Sequence, residues 1–117
     1  MTKPLAFVVE DDPQLSQIFM LTLNELYATE AITDGAQALV RLSEVVPQLV
    51  VLDINLPGAS GMQILHSIRA DSRLDSTRVI LATAESHMAN DLREKADIVL
   101  LKPISIAQLR DLARRLL

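Results

Sequence analysis

Leu49-Val-Val-Leu52 is an unbroken apolar run that enters Asp53 and is stopped by Pro57 and Gly58. Uninterrupted rather than alternating hydrophobicity describes a strand covered on both faces, because a half-solvated strand would show polar residues at every second position. A strand of this kind belongs in a parallel sheet sandwiched between helices. The C-terminal end of such a strand is where open α/β sheets place their chemistry. Read alone, Asp53 fits two roles equally: a carboxylate presented at that rim, or a loop residue capping the next helix.

The rest of the chain repeats the pattern. Leu5–Glu10 is an apolar run ending in acid. Asp12 then stands where an N-cap belongs and Pro13 where the first helical turn begins, with Leu15, Phe19, Leu23 and Leu26 at helical spacing over 13–26. A weaker strand covers 27–32. Thr33-Asp-Gly35 turns into a helix whose apolar face is Ala36, Leu39, Leu42 and Val46, ended by Pro47. After the central strand, Gly58-Ala-Ser-Gly61 leads to a helix with Met62, Leu65 and Ile68 facing inward, and 69–77 reads as a polar connection. Strands are expected at 79–82 and 98–101. Between them, a short polar helix over about 87–95 has only Met88, Leu92 and Ala96 as a face. Ser105 caps a last helix with Leu109, Leu112, Ala113 and Leu116 on one side. Five alternations of strand and helix predict an α/β fold with a parallel sheet and helices on both faces.

At 117 residues the chain has room for one domain and not two. It contains no Cys, which removes disulfides, thiol nucleophiles and zinc–thiolate sites and agrees with a reducing compartment. The Met-Thr-Lys-Pro start runs directly into a strand and does not read as a signal peptide, and no apolar stretch approaches the ~18 residues of a membrane span. A net charge of −4 without a basic stripe argues against direct nucleic-acid binding.

The strand ends then converge. Glu10, Asp11, Asp53, Thr83 and Lys102 all fall on one rim of the predicted sheet. Three carboxylates in one crevice raise each other's pKa unless a cation offsets them, and hard oxygen ligands suit Mg²⁺. Helix capping explains one acid here, and Asp12 already serves. A Lys ending the fifth strand supplies a point charge for acids or phosphoryl oxygens, and Thr83 supplies a hydroxyl. Together they describe phosphoryl transfer to a carboxylate nucleophile.

These residues, in the blocks Val8-Val-Glu10-Asp11-Asp12, Leu52-Asp53-Ile-Asn-Leu-Pro57-Gly58, Gly61, Thr83-Ala84 and Lys102-Pro103, resemble the receiver domains of two-component response regulators. The likeness covers essentially the whole chain, read as one receiver domain over 1–117. It implies a doubly wound, flavodoxin-like (βα)5 fold with strand order 2-1-3-4-5. It implies that Asp53 is the phosphoacceptor. Glu10, Asp11, Asp53 and the backbone carbonyl of Asn55 would be the protein ligands of Mg²⁺, Thr83 the switch hydroxyl, and Lys102 the phosphate-pairing lysine. The implied donor is the phosphohistidine of a sensor histidine kinase or of a histidine phosphotransfer protein. A second copy of the chain is a further candidate partner, and the cytoplasm is the implied location. The domain would assist only its own phosphorylation and dephosphorylation and would not otherwise be an enzyme. Asn55 and Glu85, two residues beyond the acceptor and the switch hydroxyl, resemble the pairing of short-lived chemotaxis-type regulators.

Two departures stand out. Receivers usually carry Tyr or Phe three residues before the fifth-strand Lys, a ring that turns inward when the Thr moves; here that residue is Val99, with one χ angle. Thr83 and Lys102 are 19 positions apart (102 − 83), short of the usual receiver spacing by about one helical turn. Both changes fall on the face built from the fourth helix, the fifth strand and the last helix, the usual surface for dimerisation or output. Arg110, Arg114 and Arg115 on the last helix read as a solvated face or a partner patch.

Two other readings use the same residues. A haloacid-dehalogenase-type phosphatase places a second Asp two residues after its nucleophile as a general acid. Asn55 cannot donate a proton in that way, and the chain has no room for the cap of such enzymes. A pseudo-receiver, a binding module of the same fold without phosphorylation, is the serious alternative. The chain is either a single-domain regulator or one domain of a longer protein.

Overall fold

The computed structural model describes residues 2–85 and 95–117. Among these, five parallel strands run β1 (Leu5–Val9), β2 (Ala28–Ile32), β3 (Leu49–Asp53), β4 (Arg78–Thr83) and β5 (Ile98–Leu101), in the spatial order β2-β1-β3-β4-β5. The helices are α1 (Pro13–Leu23), α2 (Gly35–Glu44), α3 (Gly61–Ala70) and α4 (Ile106–Arg115), with a 3₁₀ turn at Ser72–Leu74. This is the expected doubly wound, flavodoxin-like sheet. The short polar helix expected over 87–95 lies largely outside the described residues; Ala96 is described, and is buried.

The two sides of the sheet divide the apolar residues by strand parity. Phe7, Val9, Val50, Leu52, Val79, Leu81 and Val99 pack against α2 and α3 through Ala38, Leu42, Ile64, Leu65 and Ile68. Ala6, Val8, Leu49, Val51, Ile80 and Leu100 pack against Phe19, Leu23, Leu109 and Ala113 of α1 and α4. All five residues of β3 are buried, as its unbroken hydrophobicity requires. Register brings Val9 opposite Leu52 and Leu52 opposite Leu81, so neighbouring strands finish together at one rim.

Side-chain chemistry sets the helix starts. Asp12, Asp34, Ser60 and Ser105 each accept from backbone N–H groups in the first turn of α1, α2, α3 and α4. Ser60 and Gln63 complete a reciprocal capping box.

Local details differ from the sequence pattern. Helix α1 stops at Leu23 rather than near 26, because Leu26 and Tyr27 both donate to the Leu23 carbonyl in a closing turn. Tyr27 is not in a strand: its ring is buried and its hydroxyl donates to the Ala113 carbonyl at 2.7 Å. Helix α2 stops at Glu44, where Val45 turns to extended backbone, and Val46 before Pro47 is exposed. Met62 faces outward, and Ile64 takes the inner position beside Leu65 and Ile68. The connection expected to be polar buries Leu74 completely.

A knot of charges closes the opposite end of β4 and β5. Asp97 Oδ2 accepts from the Val79 amide at 2.7 Å and from Arg69 Nη2 at 2.8 Å, and its Oδ1 from Arg78 Nη1 at 3.1 Å. Burial opposes ionisation of Asp97, but the Val79 amide and the two guanidinium groups outweigh it and hold its pKa below the ordinary value.

Candidate functional site

The rim is assembled from residues that end strands or directly follow them. Glu10 follows β1, and its amide still donates to the Ile32 carbonyl at 3.0 Å, which extends the β1–β2 ladder by one residue. Its side chain is buried; Oε2 accepts from the Asp12 amide at 3.2 Å, whereas buried Oε1 has no hydrogen-bond partner among the described residues. Asp11 is exposed beside it. Asp53 closes β3 and is only 4% exposed. Its Oδ1 accepts from the Asn55 amide at 3.2 Å, which turns the chain back over the strand end. Gly61 lets α3 begin close by: a Cβ there would stand 2.4 Å from the Asp53 carbonyl oxygen and 2.5 Å from Ile54 Cα.

Lys102 reaches the acids from β5. Its amide donates to the Thr83 carbonyl at 2.8 Å, and its ammonium lies 3.1 Å from Asp53 Oδ2 and 3.5 Å from Glu10 Oε1. Thr83 is fully buried at the end of β4, where its hydroxyl oxygen accepts from the Glu85 amide at 3.1 Å. Asn55 is exposed. The structure thus gathers Glu10, Asp11, Asp53 and Lys102 directly, with Thr83 beside them on the strand that neighbours both β3 and β5.

Burial drives the electrostatics. Loss of solvent, reinforced by the Asp53 carboxylate, pushes Glu10 up to about 7, against the opposing pull of the Asp12 amide and Lys102. Burial alone would lower Lys102, but Asp53 and Glu10 hold it above its ordinary value. One ammonium therefore lies against two buried carboxylates, Asp53 and Glu10, with Asp11 exposed beside them. One carboxylate oxygen from each of Glu10, Asp11 and Asp53 lies within 4.8 Å of the others, a spacing one cation can bridge. The donors are all oxygen, and Glu10 Oε1 is buried without a hydrogen bond among the described residues. That is the donor chemistry of a hard divalent ion, and the residues fit it.

Backbone groups were not legible in the sequence: the Asp12, Asn55 and Glu85 amides each orient a side chain two positions upstream. Their only signal is that each follows a strand-ending polar residue at a turn. Val99 is buried among the apolar residues between the sheet and α3, not turned toward solvent. On α4, Arg115 pairs with Asp111 at 3.0 Å one turn earlier, as a solvated helix face does.

Comparison with known proteins gives one consistent answer. The sequence model of the response regulator receiver domain matches residues 6–114. The DNA-binding response regulator MtrA of Mycolicibacterium smegmatis is 34% identical over 113 residues, covering 92% of this chain and 50% of MtrA. The chain therefore spans about half the length of that relative. Among solved structures, the receiver domain of a signal transduction histidine kinase from Syntrophus aciditrophicus superimposes with a TM-score of 0.87 at 27% identity, over 97% of this chain and 89% of that one. The chemotaxis response regulator CheY4 of Vibrio cholerae shares the fold with a TM-score of 0.89 at 23% identity, over 99% of this chain and 100% of its own.

Proposed function

Because the chain belongs to the response regulator receiver family, and so to phosphorylation-based two-component signalling, we propose that Asp53 is its phosphoryl acceptor. The observation that carries this is the position of Asp53: a buried carboxylate at the end of the central strand, 3.1 Å from the Lys102 ammonium and grouped with Glu10 and Asp11. The donor is a phosphohistidine of a sensor kinase or phosphotransfer protein. A carboxylate oxygen of Asp53 attacks phosphorus, the P–N bond breaks, and its electron pair stays on the donor imidazole. Hydrolysis then proceeds by attack of water on phosphorus; the P–O bond breaks and inorganic phosphate leaves the restored carboxylate.

Glu10, Asp11, Asp53 and the Asn55 carbonyl would hold Mg²⁺, which when bound neutralises charge on the transferring oxygens. Lys102 follows the negative charge from Asp53 Oδ2 to a phosphoryl oxygen. The Thr83 hydroxyl accepts from the Glu85 amide, so its proton remains free to donate to another. The domain assists its own phosphorylation and dephosphorylation and catalyses nothing else, and it operates in the cytoplasm; among the described residues no helix is long and apolar enough to cross a membrane.

The test is intact mass after incubation with acetyl phosphate and Mg²⁺. One added phosphoryl group, absent from Asp53→Asn and from chelator-treated protein, is the expected result. No added mass, with no response to beryllofluoride either, would overturn the assignment in favour of a phosphorylation-independent binding module.

A further inference from the structure

The loop between Asp53 and α3 is held at its start by β4 and α3 and at its far side by α2. At its start, Ile54 donates to the Ala82 carbonyl at 3.1 Å, and the Ile54 carbonyl accepts from Gly61 at 3.0 Å. At its far side it rests on the first residue of α2: the Gly35 amide donates to the Pro57 carbonyl at 2.9 Å. Gly35 is buried, and its α-carbon lies against the backbone of Ala59 so closely that a Cβ would stand 1.7 Å from the Ala59 carbonyl oxygen and 2.5 Å from its carbon. Gly58 makes the fit possible from the other side, with φ of 77°, a conformation that side chains disfavour. Between the two attachments lie Asn55, whose amide donates to Asp53 Oδ1, and Leu56, which packs against the core.

We propose that Gly35 is a positioning residue for the cation site: its bare α-carbon sets the height of the 54–59 loop, and with it the Asn55 carbonyl. The inference rests on the assignment of that carbonyl as a metal ligand. A comparison of magnitudes supports it. Real Cβ atoms essentially never approach closer than 3.0 Å, so any side chain at residue 35 forces a separation of at least 1.3 Å (3.0 − 1.7) between α2 and the loop. Metal–ligand distances tolerate only about 0.2 Å, and Mg²⁺ demands near-octahedral geometry. The obstructing atoms are all backbone, so no rotamer change relieves the contact. Asp34 already caps α2 through the Gln37 amide, so the helix start does not need the glycine for its own hydrogen bonds.

The experiment is Mg²⁺ binding by calorimetry to the protein and to Gly35→Ala, with Asp34→Ala as a variant that weakens the same helix end without adding bulk. Gly35→Ala should bind Mg²⁺ at least about tenfold more weakly, in the range seen when ligand-orienting groups are removed, while Asp34→Ala binds as the parent does. Equal Mg²⁺ affinity of Gly35→Ala and the parent, whatever the melting temperature, overturns the proposal. A second measurement needs no variant: hydrogen exchange of the Gly35 amide in the parent protein should slow several-fold on adding Mg²⁺, and exchange unaffected by bound Mg²⁺ refutes the coupling. Failure of the parent itself to bind Mg²⁺ would instead overturn the metal-site reading beneath it.

Discussion

Replacing Glu10 by Gln should make the metal-free protein more stable above neutral pH. Burial and the Asp53 carboxylate raise Glu10 from 4.5 to about 7 in the folded protein. An acid whose folded-state pKa is raised binds its proton more tightly when folded than when unfolded. Its contribution is therefore fully present below pH 4.5 and is lost progressively as pH rises through about 7. At ~1.4 kcal/mol per pKa unit, the loss reaches roughly 3 kcal/mol by pH 8. Gln cannot ionise, keeps a carbonyl oxygen for the Asp12 amide, and escapes this loss. For a domain of this size the difference corresponds to roughly 10 °C in melting temperature. The assay is thermal unfolding by circular dichroism in chelator, from pH 5 to pH 8, on both proteins. Parent and variant should diverge steadily with pH, and Mg²⁺ at pH 8 should stabilise only the parent strongly. Superimposable pH profiles would refute the reasoning, because they would mean that Glu10 is as well solvated in the folded chain as in the unfolded one.

Three further outcomes are expected. Lys102→Ala leaves the buried Glu10 and Asp53 carboxylates without their cation; phosphorylation by acetyl phosphate, followed by mass, should fall at least tenfold while Mg²⁺ binding persists. Asp97→Ala removes the acceptor of the Val79 amide and of both Arg69 and Arg78, and urea unfolding should show a loss of about 2 kcal/mol, the scale of a charged hydrogen bond left unmade, with the phosphorylation rate unchanged because the knot lies at the far end of the sheet. With Asn55 and Glu85 flanking the site, the phosphorylated state should decay quickly after excess donor is removed; a half-life of many hours would contradict the expectation.

What the sequence determined by itself was the fold class and the identity of the rim. Hydrophobic period is a local property: the unbroken run at 49–52 and the helical spacing at 15, 19 and 23 follow from which faces must be buried, so strand and helix order could be read directly. Because strands in such a sheet all run the same way, their polar end residues had to meet, and Glu10, Asp11, Asp53, Thr83 and Lys102 were legible before any coordinate. Element ends were less legible. Tyr27 reads as a strand residue until the carbonyl of Ala113, 86 positions away, is there to receive its hydroxyl. Leu74 looks like one apolar residue in a polar connection until the sheet covers it. Only the tertiary structure decided the raised pKa of Glu10, which depends on how much water the packed rim excludes, and the role of Gly35, whose missing Cβ matters because a loop distant in sequence rests on it. Desolvation and backbone contact are set by elements that meet in space, and no spacing along the chain records them.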